Sequence, residues 1–280
     1  MRLIKNTANG LWLLCLAAVL SACGVNHDNG TDSLNEGKHT ISISGSTSVG
    51  PLAEQLAFSY EENNDVNIEI NQIGSSAGIT NAISGVSEIG MSSRDLKQEE
   101  KDSGLKEVVI AYDGIVVVVH PNNEVDNLTM EQVKQVFTGE ITNWKELGGE
   151  DKEIVVVSRE DGSGSRDAFQ EIAGYTSGEL VKNSIIASGN GNIKTTVATN
   201  EHAIGFISFD YIDHSISTVH INGVKATAEN VLRKKYSLSR PFLFVYKEDH
   251  LTDAGQQFID YILSSEGQAI VSETGAISVN

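Results

Sequence analysis

Residues 154–166 read IVVVSREDGSGSR: a run of β-branched side chains, then a turn of serine and glycine that carries two arginines. Four consecutive apolar residues predict a strand that is buried on both faces of a mainly parallel sheet, and Val108–Ala111 and Ile115–Val119 predict two further strands. The Ser-Gly turn predicts the start of a helix, where unpaired backbone N–H groups and the positive end of the helix dipole favour a bound anion. The stretch therefore predicts an α/β fold and, within it, an anion-binding turn.

The same order of strand, Ser-Gly turn and helix occurs at three earlier places. The turns are Gly45–Gly50, Gly74–Gly78 and Ser92–Asp95, each preceded by a short apolar strand. In open α/β sheets ligands bind beyond the carboxyl ends of the strands, so we expect the four turns to converge on one site. Each turn taken singly is also explained by ordinary helix capping, because serine and threonine are preferred N-cap residues.

Composition narrows the function classes. The 280 residues carry 20 basic and 38 acidic side chains, a formal net charge of −18, so no long basic face is available for nucleic acid. Both cysteines, Cys15 and Cys23, lie in the first 23 residues, which excludes a disulfide scaffold and a cysteine-ligated zinc site in the rest of the chain. We expect no nucleic-acid partner, no metal and no cofactor.

The N-terminus has the pattern of an export signal. Arg2 and Lys5 precede an apolar run from Leu11 to Leu20, which is about half the length that spans a bilayer. The sequence predicts a signal peptide over residues 1–22, whose removal changes the charge to 18 − 38 = −20. Residues 24–39 are mostly small and polar and predict, with Cys23, a flexible tether over 23–39 that extends at most about 50 Å.

Two resemblances to known families follow from these motifs. Leu20-Ser21-Ala22-Cys23 resembles a bacterial lipobox, which implies that Cys23 becomes the first mature residue and carries a lipid. The four turns, together with Phe137–Trp144, resemble the phosphate-contacting segments and second lobe of the phosphate-binding subunit of bacterial phosphate ABC transporters. The second resemblance extends from about residue 40 to residue 280, and its most specific part is the Arg-x-Asp-Gly-Ser-Gly-Ser stretch that begins at Arg159.

The resemblance implies a type II periplasmic-binding fold: two α/β lobes joined by a two-strand hinge. Lobe I would comprise residues 40–113 plus 240–280 and lobe II residues 114–239, with crossings near Asp113-Gly114 and Ser239-Arg240. It also implies an extracytoplasmic lipoprotein, anchored to the cell membrane, that works as a monomer. Such a protein captures inorganic phosphate, delivers it to an ABC permease and is not an enzyme.

The resemblance also implies a set of phosphate-binding residues. In the best-known members the third segment contains a carboxylate, whereas this chain has Ser93 and Arg94 there. Arg159 would bind phosphate with two N–H groups, and Asp161 would accept the proton of hydrogen phosphate and so repel fully ionised sulfate. The complete implied set is Thr47, Ser48, Ser75, Ser93, Arg94, Arg159, Asp161, Ser163, Gly164 and Ser165.

Three other functions remain open from the residues alone. Gly74-Ser75-Ser76-Ala77-Gly78 matches the G-x-S-x-G pattern of a serine hydrolase, although no histidine lies in a recognisable catalytic motif. A different oxyanion, such as sulfate, molybdate, tungstate or a phosphonate, is the second alternative. A surface protein for signalling or adhesion that keeps the fold without serving a permease is the third.

Overall fold

The computed structural model describes residues 38–280. The predicted signal peptide, Cys23 and the tether up to residue 37 lie outside the described residues. Within the described part of the chain, no helix is both long and apolar enough to cross a membrane.

The described residues alternate strands and helices, and the predicted α/β class is confirmed. The strands are β1 His39–Gly45, β2 Val66–Gln72, β3 Ile89–Ser92, β4 Lys106–Val119, β5 Asn127–Leu128, β6 Val155–Arg159, β7 Ile185–Ala187, β8 Ala203–Ser208, β9 Ser217–Thr218, β10 His220–Ile221 and β11 Ser239–Tyr246. The helices are α1 Gly50–Glu61, α2 Ser75–Ser84, α3 Gln98–Asp102, α4 Met130–Thr138, α5 Gly164–Ala173, α6 Gly189–Ala198, α7 Ala228–Leu232, α8 Asp253–Leu263 and α9 Ser265–Glu273. Two 3-10 helices, Trp144–Leu147 and Phe209–Tyr211, complete the set.

The main sheet has the strand order β2-β1-β3-β11-β4-β8-β6-β7, with β9 also paired to β4. Strand β4 has 14 residues and joins the two parts of the sheet: its first part pairs with β11 and its last five residues pair with β8. All of its ladders are antiparallel, so the sheet is mixed. The run Ile115–Val119 is fully buried as predicted, but the expectation of a mainly parallel sheet was wrong for this strand, because a continuous apolar run reports burial on both faces and not strand direction.

Two large sets of buried side chains lie on either side of the middle of β4. One contains β1, β3, α1, α8 and the first part of β4, as far as Ala111. The other contains residues of β4 from Ile115 onward together with α4, α5, β6 and β8. Ile277, near the C-terminus, packs in the second set, and its backbone pairs with Tyr112.

Three of the four predicted turns lead directly into a helix. Strands β1 and β3 are parallel neighbours, so their carboxyl ends lie side by side. At the end of β1, Gly45 has φ +143°, and a Cβ there would collide with the Met91 carbonyl, so glycine is required. The third turn differs from the prediction, because α3 begins only at Gln98 and Ser93 and Arg94 do not start a helix.

Candidate oxyanion-binding site

A small cavity lies where the turns converge. Its lining residues come from both parts of the main sheet that β4 joins, and most of these residues carry hydroxyl groups. The lining residues are Ser46, Thr47, Ser48, Gly74, Ser75, Ser93, Arg159, Ser163, Gly164 and Ser165. Eight of the ten predicted site residues are therefore brought together, and the other two, Arg94 and Asp161, are not in the lining.

The turn between β1 and α1 is held by its own serine. The hydroxyl oxygen of Ser46 accepts hydrogen bonds from the backbone N–H groups of Ser48 and Val49, at 3.1 and 3.3 Å. This bonding replaces a side-chain N-cap, which α1 lacks. The turn thereby presents the hydroxyls of Thr47 and Ser48 to the cavity.

The second and third turns are hydrogen-bonded to each other. Ser75 is the first residue of α2, and its hydroxyl oxygen accepts the backbone N–H of Ser93 at 3.1 Å. The hydroxyls of Ser75 and Ser93 lie 3.3 Å apart, and both residues are buried. The two neighbouring strands thus place two hydroxyls at one wall of the cavity.

The fourth turn supplies the opposite wall. Ser163 caps α5, and its side-chain oxygen accepts the backbone N–H of Arg166 at 3.3 Å. Gly164 in this turn lies close to the wall formed by Ser75 and Ser93. A Cβ on Gly164 would fall 2.7 Å from Ser93 Oγ and closer still to Ser75 Oγ. Ser165 Oγ lies 2.8 Å from Ser48 Oγ.

Arg159 is the cation of the cavity, and its side chain is only 1% exposed. Its Nε and Nη2 atoms donate to Glu160, each at 2.8 Å, while Nη2 also donates to Thr47 Oγ1 at 3.0 Å. Its Nη1 atom donates to Asn190 Oδ1 at 3.4 Å. Four of the five guanidinium N–H groups are thus engaged, and the bidentate edge that was expected to bind phosphate holds Glu160 in this structure.

Glu160 fixes the orientation of that guanidinium. Burial by itself would raise the pKa of Glu160, but the hydrogen bonds and the charge of Arg159 lower it below its ordinary value. The carboxylate therefore stays ionised at neutral pH, and the pair as a whole carries no net charge. What Arg159 offers an anion is one remaining N–H on Nη1 and the local positive potential.

Asn190 is a buried site residue that sequence reasoning missed. It lies in the first turn of α6, is 1% exposed, and donates from Nδ2 to Ser48 Oγ at 2.9 Å. Its Oδ1 atom accepts from Arg159 and from the backbone N–H of Ser208. The signal was present, because Ser188-Gly189 is a fifth Ser-Gly turn before a helix, but its preceding strand β7 has only three residues.

Arg94 has a different role from the predicted one. Its Nη1 and Nη2 atoms donate to Glu100 at 2.8 Å, and its Nε lies 3.0 Å from Asp167 Oδ2 on α5. The side chain is 4% exposed and ties the third turn to the helix that follows the fourth turn. Burial would raise the pKa of Glu100, but Arg94 and the Lys97 backbone lower it, so this ion pair stays charged at neutral pH.

Asp161 also lies apart from the cavity. Its side chain is 93% exposed, and Oδ1 accepts from Arg166 Nη1 at 2.6 Å. In this structure the carboxylate that was expected to accept a proton from the ligand forms a salt bridge with Arg166.

Comparisons with known proteins place the chain in a family. Residues 30–266 match the family model of the PBP superfamily domain. A curated relative, the "Phosphate-binding protein PstS" of Borreliella burgdorferi, is 31% identical over 250 residues, covering 85% of this chain and 90% of that protein.

Two solved structures are also similar. A putative phosphate ABC transporter substrate-binding protein with bound phosphate from Clostridium perfringens is 62% identical, with a TM-score of 0.85, over 86% of this chain and all of that one. An ABC-type phosphate transport receptor from Vibrio cholerae is 35% identical, with a TM-score of 0.74, over 85% of this chain and 99% of that one. The predicted type II periplasmic-binding fold is confirmed by these likenesses. The chain belongs to the PBP superfamily and, within it, to the PstS family of phosphate-binding proteins.

Proposed function

We propose that the protein captures inorganic phosphate in this cavity and delivers it to the membrane permease of an ABC transporter. The observation that carries the proposal is a small cavity lined by hydroxyls and one guanidinium, in a chain that is 62% identical to a protein solved with bound phosphate. Hydroxyl and N–H donors replace the hydration shell of the anion, which the strongly acidic surface would otherwise repel.

We propose residues 40–113 plus 240–280 and residues 114–239 as the two lobes that close over phosphate. The support is the pairing of β4 with β11 at Asp113-Gly114 and Ser239-Arg240, the two places where the chain passes from one buried core to the other. Asp113 and Arg240 form a buried ion pair there, at 2.9 Å. Contacts such as Arg159 with Thr47 and Asn190 with Ser48 join the two proposed lobes across the cavity.

The hydrolase alternative fits this geometry poorly. Ser75 is fully buried, and its hydroxyl oxygen already accepts the Ser93 N–H. The cavity lining, all of it within the described residues, includes no histidine to act as a base. A binding role that needs no chemistry therefore accounts better for the arrangement.

Calorimetry on the full chain in mild detergent tests the proposed ligand. We expect one phosphate per chain with a dissociation constant of about 1 μM or tighter, which corresponds to about −8 kcal/mol. Phosphate binds only the folded state and should therefore also raise the melting temperature. The absence of both heat and a thermal shift at millimolar phosphate would contradict the proposal.

We further propose that the protein is an extracytoplasmic lipoprotein, anchored at the cell membrane through Cys23 and acting as a monomer. The support is the Leu-Ser-Ala-Cys sequence that ends at Cys23 and the polar segment that follows it. A single acyl chain binds membranes weakly, so stable anchoring takes more than one.

We expect Cys23→Ser to release the protein from the membrane fraction without changing its affinity for phosphate, because the tether separates the anchor from the cavity. Detergent partitioning and calorimetry measure the two effects. Continued partitioning of the variant into detergent would show that Cys23 is not the anchor.

A further inference from the structure

The hydroxyls that line the cavity are hydrogen-bonded in a way that restricts what they can offer a ligand. A serine or threonine hydroxyl has one O–H to donate and two lone pairs that accept. When an N–H group already donates to the oxygen, one lone pair is used, and the O–H and the second lone pair remain. The direction of each hydrogen bond around the cavity therefore determines which of these groups are left for a ligand.

Five of the seven lining hydroxyls accept a hydrogen bond from an N–H group. Ser46 accepts from two backbone N–H groups, Thr47 accepts from Arg159, and Ser48 accepts from the Asn190 amide. Ser75 and Ser163 accept backbone N–H groups, from Ser93 and Arg166. The O–H groups of Ser46, Thr47 and Ser163 are left to donate, and each of the hydroxyl pairs Ser48–Ser165 and Ser75–Ser93 keeps one O–H beyond the contact within the pair.

The rest of the lining adds further donors and no carboxylate. Arg159 contributes an N–H, and Ser93 and Ser165 have only other hydroxyls as side-chain partners. Among the described residues, none of the side chains that line the cavity is an aspartate or glutamate. The carboxylates nearby are engaged elsewhere: Glu160 with Arg159, Asp161 with Arg166, and Glu100 and Asp167 with Arg94.

We infer that the cavity is a cage of hydrogen-bond donors that does not recognise a proton on its ligand, so that sulfate and other tetrahedral dianions of similar size bind in the same place as phosphate. The inference rests on the proposed function, since it concerns the same cavity. The dianion of phosphate therefore binds more tightly than the monoanion, because each P–OH of the ligand adds a donor in a cavity that has no carboxylate in its lining to accept it. A donor facing a donor leaves both unpaired in a buried site, which is costly.

One charged group near the cavity has a pKa close to neutral. Asp210 is exposed at the rim of a neighbouring groove, where partial desolvation and the Asp113 carboxylate raise its pKa to about 7. It adjoins Tyr211, whose hydroxyl donates to the Thr47 carbonyl at 3.3 Å. The other charged groups packed against the cavity are Arg94, Glu100, Asp113, Arg159, Glu160, Arg166, Asp167 and Arg240.

The first experiment is calorimetry of the full chain with inorganic phosphate and with sulfate, from about pH 6 to about pH 8 in a buffer without oxyanions. The second ionisation of phosphate falls within this range, so we expect its dissociation constant to decrease about tenfold as the pH rises. The dissociation constant for sulfate should stay constant and lie within about tenfold of that for phosphate at the highest pH. Repeating the series with Asp210→Asn removes the group whose pKa is about 7, and the phosphate trend should persist.

A matched pair of variants tests the cage directly. Ser93→Asp adds a carboxylate acceptor to the lining, and Ser93→Asn adds a neutral side chain of similar size. We expect Ser93→Asp to weaken sulfate binding relative to phosphate by at least about 100-fold, since a site that repels a ligand lacking the matching proton discriminates strongly. Ser93→Asn should change the phosphate-to-sulfate ratio by less than about threefold.

Each outcome has a distinct meaning. If phosphate binds but millimolar sulfate does not, or if phosphate affinity is unchanged by pH or loses its trend in Asp210→Asn, the inference is overturned while the proposed function stands. An unchanged phosphate-to-sulfate ratio in Ser93→Asp also overturns it. If neither anion binds the wild-type chain, the proposed function itself fails.

Discussion

Replacing Arg159 with alanine is expected to weaken phosphate binding by at least about 100-fold, because truncating one partner of a buried, hydrogen-bonded charge pair costs about 2–5 kcal/mol. The loss has two parts. The variant removes the one guanidinium of the cavity, and it leaves the carboxylate of Glu160 without its partner beside the anion. Calorimetry with inorganic phosphate measures the change.

Two controls separate these parts from general damage. Arg233→Ala removes an equal charge from α7, where the side chain is 62% exposed, and should leave affinity unchanged. Adding Glu160→Gln to Arg159→Ala removes the unpaired carboxylate and should restore part of the lost affinity. Phosphate affinity within about threefold of wild type in Arg159→Ala would show that this guanidinium does not hold the ligand.

Gly164→Ala is the second substitution with a large expected effect. The added Cβ would lie 2.7 Å from Ser93 Oγ and closer to Ser75 Oγ, so the two walls of the cavity must move apart. Overpacking of this kind costs about 1–3 kcal/mol, and the separated walls also lose hydroxyl contacts to the ligand. We expect at least about 100-fold weaker phosphate binding, with a normal circular dichroism spectrum.

Gly191→Ala is the matched control for this variant. Gly191 also lies in the first turn of a helix, α6, but a Cβ there meets nothing within 4 Å. Phosphate affinity should stay at the wild-type value, and the melting temperature should rise slightly because alanine restricts the unfolded chain. Small-angle scattering adds a second readout: wild type should contract on adding phosphate, whereas Gly164→Ala should not. A Gly164→Ala protein that binds and contracts like wild type would contradict the proposed closure.

Much of the fold and site could be predicted from local sequence alone. The apolar runs before Gly45, Gly74 and Gly162 form strands, and the Ser-Gly turns that follow them lead into α1, α2 and α5 as expected. These signals are local: residue type sets strand propensity and helix capping within a few positions. Eight of the ten site residues implied by the family resemblance line the cavity that these turns form.

Strand direction and strand continuity depended on tertiary structure. Val108–Ala111 and Ile115–Val119 read as two strands, but Asp113 and Gly114 continue the ladder between them as parts of β4. The Asp113 carboxylate is buried because Arg240, 127 residues away in sequence, pairs with it. No local pattern reveals a partner at that distance.

By itself the sequence determined that this is an α/β protein with Ser-Gly turns suited to an anion, because hydrophobic periodicity and capping act over neighbouring residues. Only the tertiary structure decided which charges face the cavity. Arg94 and Asp161 lie in turns of the right type, yet Glu100 and the distant Asp167 hold the Arg94 side chain, and Arg166 holds that of Asp161, outside the cavity lining. Asn190 enters the site from α6 by the same kind of long-range contact. The orientation of a long charged side chain is set by the partners that folding brings within a few ångströms, and those partners are distributed throughout the chain.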